Sequence, residues 1–204
     1  MNKVYEFVDE TEETVLKFGS YSEKVYNKHC NSYGEKGARN TRETVNSVLN
    51  SALKQEADTS ATNNVLLVGK VQSGKTSNLE ALVALACDNG FELVVMYGGY
   101  DNTLLGQTVK RFRKTFDAPR DEDDLGDPNE LSTPVIFTTD DKDDLNMAGI
   151  DAEVLRDYFE ADVPVFIITI KGAPRLNLIN DVLEELSDLN LRTLIIDDEG
   201  DQAS

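Results

Sequence analysis

The chain has 204 residues, 40% of them hydrophobic, enough for one domain with a real core and an appendage. Its formal net charge of −18 argues against a surface given over to nucleic-acid phosphates, because those contacts need lysine and arginine. No apolar stretch approaches the roughly 20 residues that span a bilayer, and with one histidine and two distant cysteines no zinc pattern exists.

The N-terminal stretch MNKVYEFVDETEE is acidic and lacks a long apolar core, so it does not read as a signal peptide. Together with the cysteine usage, this predicts a soluble, cytoplasmic protein without membrane partners. Residues 1–60 read as a mainly helical appendage. His29 beside Cys30 suggests loop chemistry rather than a ligand pair, and GEKGARN, residues 34–40, reads as a loop. The clearest helix then runs from about Asn40 to Gln55, with Asn40 and Glu43 as a capping pair. Val45, Val48, Leu49, Ala52 and Leu53 make its apolar face.

From residue 64 onward, strands and helices alternate, which predicts an α/β domain over 64–204. The strands are expected at 65–68, 91–97, 135–139, 164–170 and 191–197. The helices are expected at 75–88, 102–117, 151–160 and 175–188. FELVVMY and PVFIITI are near-continuous apolar runs, as for parallel strands covered on both faces. Leu79, Leu82, Val83 and Ala86 form a helical stripe, and Cys87 near that helix's end reads as a small buried residue. Leu176, Ile179, Val182, Leu183 and Leu186 form another. Two acidic stretches, DEDDLGDPNE at 121–130 and DDKDD at 140–144, read as solvated loops that serve solubility more than a partner.

The segment after strand 65–68 reads Gly69-Lys70-Val71-Gln72-Ser73-Gly74-Lys75-Thr76, which fits the Walker A pattern G-x-x-x-x-G-K-[ST] without a mismatch. Gly69 and Gly74 let successive backbone N–H groups turn inward as a nest for anionic oxygens. Lys75 adds a positive charge near the β- and γ-phosphates, the Thr76 hydroxyl binds Mg²⁺, and the following helix aims its positive end at the same group. The nucleotide-binding set is therefore Gly69, Gln72, Ser73, Gly74, Lys75, Thr76 and Ser77.

The strand 191–197 runs into Asp197-Asp198-Glu199-Gly200-Asp201, an apolar strand ending in acids, as in Walker B. Asp198 is assigned to the metal and Glu199 to orienting the attacking water, with Asp201 coupling the site to movement. A register one residue earlier makes Asp197 the metal ligand. An acidic surface turn is the bland alternative. A glutamate beside the metal ligand favours hydrolysis over phosphate transfer to a metabolite, so Lys75 and Glu199 are the catalytic pair.

Two further stretches extend the pattern. In the helix 102–117, Leu105, Val109, Phe112 and Phe116 share one face while Lys110, Arg111, Arg113 and Lys114 occupy the rest, with Gln107 and Arg111 one turn apart. Residues Ile168 to Leu176 form a strand that ends in a loop and a new helix. Taken with GKVQSGKT and IIDDEGDQAS, these stretches resemble the Z-one domain family, endonuclease-associated ATPases of bacterial defence-type systems that look like superfamily 2 helicases.

The likeness covers residues 64–204, roughly one lobe of a RecA-like P-loop NTPase core, a parallel sheet flanked by helices. It implies ATP, more than the residues themselves do, with Mg²⁺. It also implies that Gln107, Arg111, Lys171 and Arg175 lie near a nucleic-acid track, DNA ahead of RNA. A helicase-like motor needs a second lobe that contributes an arginine, and 204 residues do not accommodate one, so the chain is expected to be part of a longer protein and weakly active by itself. Two alternatives stay open: a nucleotide-dependent switch that recruits protein partners, and a P-loop kinase for a small metabolite.

Overall fold

The computed structural model describes residues 15–53, 75–98, 101–121, 124–140, 143, 145–147 and 152–198. The predicted strand 65–68 and the loop 69–74 lie outside the described residues. Ten regular elements follow in order: α1 (Ser20–Tyr33), α2 (Glu35–Leu53), α3 (Lys75–Asp88), β1 (Leu93–Tyr97), α4 (Asn102–Phe116), β2 (Val135–Thr138), α5 (Ala152–Glu160), β3 (Val165–Thr169), α6 (Ala173–Glu185) and β4 (Thr193–Asp197).

The four strands pair in parallel in the order β2-β3-β1-β4. In register, Val95 lies between Ile167 on β3 and Ile195 on β4. Alternate side chains feed two cores. Val94, Met96, Ile136, Phe166 and Ile168 pack with Leu105, Val109, Phe112 and Phe116 of α4 and with Leu79 and Val83 of α3. Leu93, Val95, Val135, Phe137, Val165 and Ile167 pack with Leu155 and Phe159 of α5 and Ile179 and Val182 of α6. The continuous apolar runs predicted strands of this two-sided kind, and β1 and β3 confirm them. The change of face has a topological reason. The chain steps from β1 past β3 to β2, then reverses direction back to β3 and on to β4. Right-handed crossovers must then carry α4 on one side and α5 and α6 on the other.

The helices α1 and α2 pack with α3 into a further layer. Leu16, Val45, Leu49 and Leu53 meet Leu82, Leu85, Ala86 and Phe91, while Val25 reaches the sheet core. The helix α3 is therefore enclosed by the sheet on one side and α2 on the other. Its apolar surface is wider than the predicted stripe, since Ala84 and Leu85 are buried as well.

The segment 34–40 is not a loop. Only Gly34 separates α1 from α2, and its φ of 84° turns the chain within one residue. Asn40 consequently lies inside α2 and caps nothing, and His29 sits in α1 rather than in a loop. Two glycines and several polar residues suggested a connection, but helix packing outweighs that composition. Among the described residues, no helix is long and apolar enough to cross a membrane.

Helix α1 begins at Ser20 without a capping side chain of its own. The cap comes from the far end of α3 instead: the Asp88 carboxylate accepts from the N–H groups of Gly19 at 2.9 Å, Tyr21 at 3.2 Å and Ser22 at 2.8 Å. A carboxylate suits a helix N-terminus, where orphan donors and the positive end of the dipole coincide. Asp88→Ala is expected to lower stability by about 1–2 kcal/mol, in line with loss of a well-formed cap. Urea unfolding measures it, and a change below about 0.3 kcal/mol would show the cap to be dispensable.

Candidate functional site

In a parallel α/β sheet, ligands collect at the carboxyl ends of the strands. Helix α3 has 14 residues and leads into β1 through residues 89–92. At 1.5 Å per residue it spans about 21 Å; joining the amino end of β1 and packing Leu79 and Val83 on the sheet core, it directs its first turn toward the carboxyl edge. The same edge carries Asp197 and Asp198 at the end of β4, Gly98 after β1, and Lys171 after β3. Thr76 and Asp198, the two predicted metal ligands, thus belong to one end of the sheet, and both are partly exposed. Ser77 follows on the first turn of α3 and is also partly exposed. Gly69, Gln72, Ser73, Gly74 and Glu199 lie outside the described residues.

The edge is held together across three strands. The Lys171 ammonium pairs with the Asp197 carboxylate at 2.7 Å, bridging the ends of β3 and β4 over β1. Asp198 is tied by its backbone, whose N–H donates to the Tyr97 carbonyl at 3.1 Å. Burial, and secondarily the Asp197 charge, raise the pKa of the Tyr97 phenol between them. The alternative ligand Asp197 thus already holds an ion pair with Lys171. A hydroxyl and one carboxylate fit Mg²⁺, which takes few protein ligands and keeps waters beside phosphate oxygens. Among the described residues, no three His, Cys, Asp or Glu side chains gather as a larger metal cluster.

The four residues expected near a nucleic-acid track divide into two pairs. Gln107 and Arg111 are exposed on α4. Asp101 caps that helix by accepting from the Leu104 N–H at 2.9 Å. Lys171 is bound to Asp197, and the Arg175 Nε donates to the Thr139 carbonyl at 3.3 Å. The remaining basic face of α4 also needs correction. Arg113 is not solvated: its guanidinium forks onto Asp143 at 2.8 and 2.9 Å and donates to the Ile136 carbonyl at 3.2 Å. One acid of the DDKDD stretch thus anchors the loop after β2 instead of serving solubility.

A buried polar cluster behind α3 escaped the sequence reading. The Glu80 carboxylate accepts from the Thr115 hydroxyl at 2.9 Å and lies 3.3 Å from His29 Nε2 and 3.7 Å from the Lys28 ammonium. The Lys28 ammonium also donates to Thr115. Burial pushes the Glu80 pKa upward, but the contacts with His29, Lys28 and Thr115 together outweigh it and hold the carboxyl below its ordinary value. The only sequence signal was one acid on the inner side of an apolar helix. Cys87, expected to be buried, is only partly buried against the sheet core; burial, then the Asp88 charge, raises its thiol pKa.

No family model, no curated protein and no solved structure matches the chain.

Proposed function

We propose that this chain is the ATP-binding and ATP-hydrolysing lobe of a RecA-like, helicase- or translocase-type motor that acts on nucleic acid. The setting proposed is a bacterial defence or restriction-type endonuclease system, with DNA ahead of RNA as the track. One arrangement supports the reading: α3, which begins at Lys75 within GKVQSGKT, leads back to the amino end of β1, and β4 of the same parallel sheet ends at Asp197. In this reading the 69–74 backbone and Lys75 hold the phosphates, Thr76 and Asp198 hold Mg²⁺, and Glu199 orients the attacking water. Asp197 is left to its ion pair with Lys171. Mg²⁺ bound there neutralises charge that develops on the phosphates. Gln107 and Arg111 on the outer side of α4 are the groups that would meet a nucleic-acid backbone, and a second lobe would supply an arginine to the shared site.

A second reading draws on Lys171 and Arg175, two of the four track residues, which already bond Asp197 and the Thr139 carbonyl within the chain. It makes the lobe a nucleotide-dependent switch that recruits a protein partner.

The test is ATP hydrolysis by the full chain with and without DNA or RNA, beside Lys75→Ala. Stimulation by a polymer that vanishes in the variant is the expected result. Hydrolysis that depends on Lys75 but ignores both polymers supports the switch, and hydrolysis unchanged in Lys75→Ala overturns both readings.

A further inference from the structure

A cleft of about 350 Å³ opens where α1 ends, α2 begins and α3 starts. Tyr33, Asn40, Thr41, Thr44, Ser77 and Asn78 line it. Two of these, Ser77 and Asn78, sit on the first turn of α3, directly after Lys75 and Thr76. The volume falls within the ordinary range for small-molecule sites, roughly 300–1,000 Å³.

The lining has a distinct chemistry. Among the described residues it consists of one aromatic ring with neutral amides and hydroxyls, with no carboxylate and no cation. Phosphate would call for lysine or arginine, and a divalent metal for carboxylates. A planar, neutral, hydrogen-bonding group is what such walls suit: ring stacking on one side, amide and hydroxyl partners around the rim. Tyr33 is 41% exposed, a large aromatic surface left open. Its ring is held in place from behind. His29 lies at 5.0 Å between centroids, and the ring packs so closely on α2 that a Cβ at Gly37 would come within 2.6 Å of Tyr33 Cδ2. Thr41 and Ser77 line the same cleft as the Tyr33 ring. A glycine inside the first turns of a helix costs about 1 kcal/mol relative to alanine. Here it makes room for the ring.

We propose that this cleft binds the base and ribose of the nucleotide, with Tyr33 as the stacking platform and Asn40, Thr41, Ser77 and Asn78 as the polar rim. The proposal rests on the reading that residues 69–76 hold the phosphates, since that places the nucleoside end beside the first turn of α3. It gives the N-terminal helices a role in the site: α1 and α2 supply a nucleoside-binding wall.

The experiment measures equilibrium binding of three probes to the full chain by calorimetry: ATP, inorganic tripolyphosphate and adenosine. Tyr33→Ala is expected to weaken ATP and adenosine about tenfold, the effect of losing one base–aromatic stack, and to leave tripolyphosphate unchanged. Tyr33→Phe keeps the ring and is expected to retain most ATP affinity. The pair Thr41→Val with Asn78→Ala, which spares the ring, is expected to weaken adenosine in the same selective way. Lys75→Ala is expected to weaken ATP and tripolyphosphate and to spare adenosine. ATP and adenosine binding unchanged in both Tyr33→Ala and the Thr41/Asn78 variant would overturn the cleft while leaving the phosphate loop intact. Tripolyphosphate binding unchanged in Lys75→Ala would overturn the phosphate reading, and adenosine lost in Tyr33→Ala would still support the cleft.

Discussion

Glu80→Ala is expected to cost about 3–5 kcal/mol in urea unfolding at neutral pH, the range for breaking a buried charged cluster from one side. The Glu80 side chain is 5% exposed and His29 only 4%, so the variant strands an imidazole away from solvent, while the Thr115 hydroxyl keeps the Arg111 carbonyl. Lys28 is better placed to recover, being 33% exposed. The loss should fall unevenly on substitutions. Glu80→Gln keeps an oxygen for Thr115 and should cost clearly less. Replacing Glu80 and His29 together by leucine should also cost less than Glu80→Ala, because no polar atom of the pair is then left orphaned.

The same residue predicts an acid limb. Its carboxyl is held below the ordinary value of about 4.3, so its contribution is fully present above that pH and is lost as pH falls through the lower folded value. Below pH 4, wild type should therefore lose stability faster than Glu80→Gln, and the two curves should converge. Parallel curves between pH 7 and pH 3, or a Glu80→Ala cost under about 1 kcal/mol, would remove the cluster from the account of stability.

Asp143→Ala is expected to cost about 3 kcal/mol, again because a buried charge loses its partner. The Arg113 side chain is 11% exposed and Asp143 19%, and the two meet through paired hydrogen bonds. Among the described residues the buried Nε of Arg113 has no hydrogen-bond partner, so the fork onto Asp143 and one bond to the Ile136 carbonyl compensate the guanidinium. Arg113→Lys should recover little, since an ammonium cannot reproduce a planar two-pronged contact. Arg113→Met should cost less than Asp143→Ala, because it removes the buried charge and leaves the better exposed partner. Thermal unfolding of the three variants orders them. A Tm for Asp143→Ala equal to wild type would return the DDKDD stretch to the solvated role its composition suggested.

The candidate site was legible in proportion to how local its signals are. The G-x-x-x-x-G-K-[ST] pattern spans eight consecutive residues, and the end of β4 is marked by the acids that follow it, so both candidates could be named without knowing their distance in space. Which basic residues remain exposed was not legible. Lys110, Arg111, Arg113 and Lys114 look alike in the sequence, yet Arg113 turns toward an acid 30 residues away, and Lys171 toward Asp197. Tyr33 gave no signal either, because its cleft is assembled from three helices.

By itself the sequence determined that strands and helices alternate from α3 onward, that β1 and β3 are covered on both faces, and where α3, α4 and α5 begin and end to within one residue. It could do so because hydrophobic periodicity reports the side a residue turns to its immediate surroundings. Only the tertiary structure decided the strand order, the short Gly34 turn between α1 and α2, and the partners of the buried charges. Glu80 meets His29 across 51 residues and Thr115 across 35, and Asp88 caps a helix that begins 68 residues earlier at Ser20. A buried charge and a surface charge have the same local pattern. What separates them is whether a distant group arrives to satisfy them, and that is settled only when the chain closes on itself.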